Sequence, residues 1–319
     1  MEESDFHVVA GKAPRDPEQL EASVEQNDAE LPATTRLGPV YLTVAALEPS
    51  IEYYVASVGL TLQDKADSCA SLGVEEHELL VLVEEPGARS SFGHTGLYHF
   101  ALLVPERTDL ARWLAHAARA RVSLVGLSDH FVSEALYLAD PDGHGIEIYW
   151  DRPREMWVGQ VGERMTTLPL DVDSLLGELA DPSSEPFAGL PTGTVMGHVH
   201  LKVAAIPETV SFYRDALGFA LMAELGGQAA FLAAGGYHHH IGANTWESSG
   251  AGPPPPGAAA LRQATIVLPD ARELDRARRR LEQHGLSAQA NESGVTVRDP
   301  SGNLLLLTVS ERKARPVSD

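Results

Sequence analysis

The chain is built from runs in which apolar and polar residues alternate with period two. Each run feeds a segment of 3.6-residue period that ends at a glycine, the pattern of a strand followed by a helix. One such unit opens at Gly38-Pro-Val-Tyr-Leu-Thr-Val-Ala-Ala and continues through Ile51-Glu-Tyr-Tyr to Gly59. Another opens at Gly197-His-Val-His-Leu-Lys-Val-Ala-Ala and continues through Val210-Ser-Phe-Tyr to Gly218. The two align without gaps at an offset of 159 residues, the mark of an internal duplication. A weaker pair sets His99–Val104, Pro105 and a helix over Asp109–Ala120 against Ala264–Leu268, Pro269 and a helix over Ala271–His284. Both members close in a turn and an apolar strand, at Asp140-Pro-Asp-Gly and Asp299-Pro-Ser-Gly, again 159 residues apart.

The pattern predicts an α+β protein of four βαβββ modules in two duplicated halves. The modules span about 36–92 and 93–152 in the first half, 194–248 and 258–312 in the second. Residues 153–193 join the halves, with Pro182–Pro191 loop-like, and Pro253–Pro256 is a stiff spacer between modules three and four. Strands of paired modules curving round one side would give two cup-shaped mixed sheets with helices outside. Residues 1–35 are rich in acidic side chains without an apolar period and read as a tail, as do residues 313–319.

Three of the predicted strands carry chemistry. Tyr98–Val104 holds His99, Gly145–Tyr149 holds Glu147 48 residues later, and Met196–Val203 holds His198 at a strand start. Two imidazoles and one carboxylate from regular elements are the ligand set of a facial-triad metal site. Glu147 interrupts an apolar strand, and burying an unpaired carboxylate is costly. The remaining composition narrows the class. At 319 residues the chain can hold two domains, and 44% hydrophobic with 22% charged residues is ordinary for a soluble globular protein. A net charge of −21 argues against nucleic acid or an anionic membrane as partner. No apolar segment follows Met1 and no run approaches a membrane span; the single cysteine, Cys69, excludes an intramolecular disulfide. A cytoplasmic location is the default expectation.

Four motifs, taken together and in order, resemble the vicinal oxygen chelate superfamily, which includes glyoxalase I and the type I extradiol dioxygenases. They are Leu97-Tyr-His-Phe-Ala-Leu-Leu-Val-Pro105, the run from Ser133 to Tyr149 containing Asp140-Pro-Asp-Gly-His-Gly-Ile-Glu147, Gly197-His-Val-His-Leu-Lys-Val203, and Gly235-Gly-Tyr-His-His-His-Ile-Gly-Ala-Asn-Thr-Trp246. Within the superfamily the chain is most similar to the four-module catechol 2,3-dioxygenase-like group, over roughly residues 36–312. The resemblance implies metal ligands on the first strand of a module and on the strand after the Asp-Pro-x-Gly turn. Module one offers Pro39 there, and module four offers Gln263 and Leu306; only modules two and three can supply a triad, His99, Glu147 and His198. Those two modules would therefore face each other, unlike the usual extradiol enzyme, and modules one and four would form a second, empty cup.

The resemblance also implies a second layer. Fe(II) is the expected ion, with Mn(II) as the alternative. Tyr237-His238-His239-His240-Ile241 lies where extradiol relatives place a proton-handling histidine. Period two groups His239 with Tyr237 and Ile241, and His238 with His240, leaving open which set faces inward; His239 is favoured and His240 is next. Tyr137, ten residues before Glu147, matches a tyrosine that hydrogen-bonds bound substrate, and His130 falls near another substrate-contacting histidine. His200 shares a strand face with His198 and, with Asn244 and Trp246, is a candidate pocket residue. His94, His144 and His284 fit turns or helix ends. Arg152-Pro153-Arg154 reads as surface, with a substrate-carboxylate anchor as the alternative. The implied activity is extradiol cleavage of a small aromatic diol by O2. Hydroquinone cleavage, a glyoxalase-like lyase or isomerase, and metabolite binding without catalysis are the competing readings. Exposed sheet edges make a homo-oligomer plausible.

Overall fold

In the computed structural model, residues 30–309 and the two-residue strand Ala22–Ser23 are described. Each module contributes four main strands and one helix. Module one comprises β1 (Arg36–Val44), α1 (Leu47–Tyr53), β2 (Thr61–Lys65), β3 (Cys69–Val74) and β4 (His77–Glu84). Module two comprises β5 (Gly96–Leu103), α2 (Arg107–Ala120), β6 (Gly126–Asp129), β7 (Ser133–Ala139) and β8 (Gly145–Asp151). Module three comprises β9 (Val195–Lys202), α3 (Ile206–Val210), β10 (Ala220–Leu225), β11 (Ala229–Ala233) and β12 (Ile241–Asn244). Module four comprises β13 (Leu261–Val267), α4 (Ala271–Gln283), β14 (Gln289–Asn291), β15 (Gly294–Arg298) and β16 (Leu304–Thr308).

The sheets cross the sequence duplication. One runs β10-β11-β12-β9-β5-β8-β7-β6, with Ala22–Ser23 and Leu168–Pro169 at its edges, and so joins modules two and three. The other runs β14-β15-β16-β13-β1-β4-β3-β2 and joins modules four and one. At the centre of each sheet lies an antiparallel pair, β5 with β9 and β13 with β1, that fuses a module of one half to a module of the other.

The duplication is visible in side-chain detail. Leu47, Ser50, Ile51 and Tyr54 bury one helical face in module one; Ile206, Thr209, Val210 and Tyr213 repeat it in module three. Both helices continue into a π-helical turn, Tyr54–Val58 and Ser211–Ala216. The chain then passes through Gly59 (φ 93°) and Gly218 (φ 94°), a left-handed backbone that a side chain would strain. Tyr54 donates its hydroxyl proton to Asp140 at 2.9 Å, and Tyr213 donates to Asp299 at 3.2 Å. Asp142 accepts from the Ala45 amide at 3.0 Å where Ser301 accepts from Ala204 at 2.9 Å. Each Asp-Pro-x-Gly turn thus ties its module to the helix of the module before it, while the sheets tie the halves across.

Two boundaries differ from the sequence reading. The tail expected over residues 1–35 ends earlier: Leu31 and Thr35 are buried, the Leu31 amide donates to the Gly218 carbonyl, and Ala22–Ser23 pairs with Leu225 and Glu224 of β10. The rest of that expected tail, and residues 313–319, lie outside the described residues. The 153–193 connector is more than a link. Trp157, Val161, Met165, Leu170 and Leu175 are buried in it, and Leu168–Pro169 extends the first sheet beside β6.

Removing either tyrosine hydroxyl leaves a buried aspartate short of a donor, at a cost of about 1–3 kcal/mol. Urea denaturation of Tyr54→Phe and Tyr213→Phe should show losses of that size, near-additive in the double variant; unchanged midpoints would refute the role of the two contacts.

Candidate metal centre

The β5/β9 pairing sets the site. His200 lies opposite His99 and His198 opposite Ala101, so both histidines of β9 share a sheet face with His99. Parallel pairing of β8 with β5 places Glu147 opposite Ala101, on that face too. Local sequence makes this possible at two glycines. A Cβ at Gly197 would lie 1.8 Å from the Tyr149 hydroxyl oxygen, and one at Gly145 would lie 2.1 Å from the Tyr98 carbonyl oxygen. Ala101 and Ala135 keep the floor beside Tyr149 low.

His99 Nε2 is 3.0 Å and His198 Nε2 is 3.1 Å from Glu147 Oε2, and the two imidazole nitrogens are 3.3 Å apart. Adjacent vertices of an octahedron with metal–ligand bonds of about 2.1 Å lie about 3.0 Å apart. The three atoms therefore trace one face of such a coordination sphere, and the donor types suit a divalent transition metal. This is the only group among the described residues able to hold a metal ion. In the other sheet the corresponding positions are Pro39, Gln263 and Leu306; Gln263 and Leu306 are buried there beside Tyr41, which pairs with Gln263.

Burial raises the Glu147 carboxyl, but the imidazoles of His198 and His99 outweigh it and hold the group well below the usual range. Burial lowers His198, against the pull of Glu147. Burial, reinforced by neighbouring histidines, holds His200 and His239 well below the ordinary imidazole value. With Nε2 facing the centre, His198 Nδ1 has no hydrogen-bond partner among the described residues. Packing fixes the ring instead, against Tyr149 (centroids 4.9 Å apart) and His239 (4.1 Å).

Of the expected second layer, His239, Tyr137, His130 and His200 line one cavity with the triad; Met165, Phe231 and Ser133 complete its wall. Tyr137 and His130 are joined by a 2.7 Å hydrogen bond between the phenol oxygen and Nε2. His130 Nδ1 faces the Thr166 carbonyl at 2.9 Å, which can only accept, so the neutral ring carries its proton there and Nε2 accepts from Tyr137. His200 Nε2 is buried and has no hydrogen-bond partner among the described residues. The cavity holds about 20 Å³, room for an ion or a water.

Other expected residues sit elsewhere. His240 is turned away: its Nδ1 accepts from the Ala234 amide at 3.2 Å and its ring packs on Tyr237 and Phe219. The His238–His240 triplet precedes β12 in irregular backbone, entered through Gly235 and Gly236 at positive φ, so period two does not apply to it. Asn244 and Trp246 do not line the cavity; Trp246 packs against Tyr98 and His200. Arg152 is no substrate anchor but grips Asp129 (2.6 and 2.9 Å) and Glu134 (3.0 Å), where Arg107 also binds Glu134. Sequence reading missed Met165, which only the connector's path brings in. It also missed Tyr149 and Asp151, although both share the strand face of Glu147 by period two.

The family model of the Glyoxalase/Bleomycin resistance protein/Dioxygenase superfamily matches residues 36–148 and 195–307. The chain is 41% identical over 272 residues to a catechol-2,3-dioxygenase of Bacillus subtilis (strain 168), covering 83% of this chain and 94% of that protein. Among solved structures, a putative dioxygenase from Bacillus subtilis superposes with a TM-score of 0.56 at 14% identity, covering 85% of this chain and 84% of that one. Glyoxalase I from Zea mays superposes with a TM-score of 0.53 at 16% identity, covering 87% and 94%.

Glu147→Gln removes the anionic ligand while keeping its shape. Metal content after dialysis should fall from stoichiometric to trace with a cooperative unfolding transition retained; full retention of metal would refute the triad. A second expectation concerns acid. His240 titrates at about 3 in the fold because burial opposes its charge, whereas the unfolded chain takes up that proton near 6.5. Its contribution to stability is thus intact above pH 6.5 and falls as pH drops towards 3, by up to about 1.4 kcal/mol per pH unit. His240→Asn, which keeps an acceptor for Ala234, should flatten the stability–pH curve over that window by one proton; an unaltered slope would contradict this.

Proposed function

The chain belongs to the Glyoxalase/Bleomycin resistance protein/Dioxygenase superfamily, and from that premise we propose that it is an extradiol dioxygenase. It opens a catechol or substituted catechol at one Fe(II) held by His99, Glu147 and His198. The observation that carries this reading is the convergence of two imidazoles and one carboxylate on a single octahedral face, at 3.0–3.3 Å spacings. The named relative, at 41% identity, supports a catechol as the substrate. Its maize structural neighbour shares only the fold.

A redox-active divalent ion would be held by His99, Glu147 and His198 and, when bound, would supply the electron transfer between diol and O2 that the reaction needs. The protein's own work is proton handling and positioning. His239, kept neutral by burial beside His198, is the base that takes a hydroxyl proton from the arriving diol and returns it later. Tyr137 spends its proton on His130, so its oxygen lone pair is left to accept from the remaining diol hydroxyl. His200, whose Nε2 has no hydrogen-bond partner among the described residues, lines the same cavity and orients the reacting oxygens. In the overall change the bond between one hydroxyl-bearing carbon and its unsubstituted neighbour breaks. Both atoms of O2 enter the semialdehyde product.

A cavity of about 20 Å³ does not admit an aromatic ring, so substrate entry requires a wall to yield. We assign that movement to Met165, an unbranched side chain on the connector that lines the cavity. The single unpaired cysteine, Cys69, accords with work in the reducing cytoplasm.

Anaerobic loading with Fe(II), then catechol and air-saturated buffer, should give a yellow ring-fission chromophore with one O2 consumed per catechol. His239→Gln should lower kcat by about 10²–10⁴-fold. Absence of O2 uptake by the iron-loaded protein with every catechol tried would overturn the reading in favour of hydroquinone cleavage or non-redox lyase chemistry.

A further inference from the structure

Beyond the residues that line the cavity, a buried polar chain runs from the end of β8 to His239. Asp151 Oδ1 lies 2.8 Å from His238 Nε2, and His238 Nδ1 lies 2.8 Å from His239 Nδ1. On its other oxygen, Asp151 accepts the Tyr237 hydroxyl proton at 2.7 Å. The Tyr237 oxygen in turn is 2.9 Å from the Tyr149 hydroxyl, so Tyr149 is the donor of that pair. Tyr149 packs against the His198 ring, which links this chain to the triad by contact as well as through His239. His238 is wholly buried and Trp157 packs on its ring.

The proton positions follow from the partners. A carboxylate only accepts, so Nε2 of His238 carries a proton. In a neutral His238 ring, Nδ1 is then an acceptor and must receive its hydrogen bond from His239 Nδ1–H. That leaves His239 Nε2 as the unprotonated nitrogen. Among the described residues it makes no hydrogen bond, and its ring lines the cavity.

We propose that Asp151 and His238 are positioning residues that lock His239 into the Nδ1–H tautomer, presenting Nε2 to the cavity as a ready proton acceptor. Neither residue touches the reacting atoms. The use made of His239 rests on the dioxygenase reading, but the tautomer does not, because it is set by contacts among this chain's own side chains. In water an imidazole prefers the opposite tautomer, with the proton on Nε2. Such a ring would offer the cavity an N–H and could not accept a proton from an arriving hydroxyl at that atom. The second-layer carboxylate thus acts across two rings, with Tyr237 and Tyr149 holding it in place.

The test uses the full chain without metal, labelled with 15N-histidine, and long-range 1H–15N correlation spectra. His239→Gln assigns the signals of that ring. The wild-type chain should show His239 with a protonated Nδ1 and a bare Nε2. His238→Phe, which removes the acceptor, should move the proton to Nε2. His238→Asn, whose side-chain oxygen sits near the position of the lost Nδ1, should restore the wild-type pattern. A wild-type His239 protonated on Nε2 would overturn the proposal, since His238 would then be the doubly protonated donor. An Nδ1–H signal that persists in folded His238→Phe would overturn it as well. If His238→Phe fails to fold, the wild-type spectrum decides alone. Because no turnover is measured, a negative result here stands apart from failure of the dioxygenase reading.

Discussion

The antiparallel pairing of β5 with β9 is the constraint on which the site depends. It joins a strand of the first half to one of the second, with His200 opposite His99 and His198 opposite Ala101. Slipping the register by one residue would send the histidines to the helix-facing side, where Phe100, Leu102, Val199 and Leu201 are buried. The register is irregular at Gly197, between Met196 and His198, and a side chain there would collide with Tyr149. The same central pairing exists between β13 and β1, but it carries Gln263, Pro39 and Tyr41 and builds no ligand group. One duplicated scaffold therefore holds one candidate metal centre and one packed counterpart.

Because the sheets pair modules across the halves while the Asp-Pro-x-Gly turns tie modules within each half, every module is held from two sides. This cross-bracing allows a site with several buried titratable groups. Bringing His198, His200 and His239 out of water favours their neutral forms, which are also the forms that ligate a metal or accept a proton. The one buried charge at the centre, Glu147, is offset by the two imidazoles beside it. Desolvation, usually a cost, is here the agent that sets the chemistry.

Much of this was legible in the chain. The gapless repeat from Gly38 and Gly197 gave the modules, and comparing equivalent positions singled out His99, Glu147 and His198, which the fold brings within hydrogen-bonding distance of one another. That step worked because strand ligands obey the same periodicity as the strands. Where the backbone is irregular, periodicity gave no guidance. Strand periodicity makes His240 a candidate, but two left-handed glycines turn the triplet so that His239 faces the cavity. Asn244 ends β12 and Trp246 lies just beyond it, yet both miss the cavity wall, and Met165 reaches it from a connector with no pattern to betray it. Arg152 looked like surface charge until Asp129 and Glu134, distant in type of signal, closed round it.

The most direct test of the central claim is an anomalous difference map, at the iron edge, from crystals of the Fe(II)-loaded chain. The account predicts one strong peak per chain within bonding distance, about 2.0–2.2 Å, of His99 Nε2, His198 Nε2 and Glu147 Oε2. A peak bound elsewhere, or none at this face in protein shown to contain iron, would contradict it.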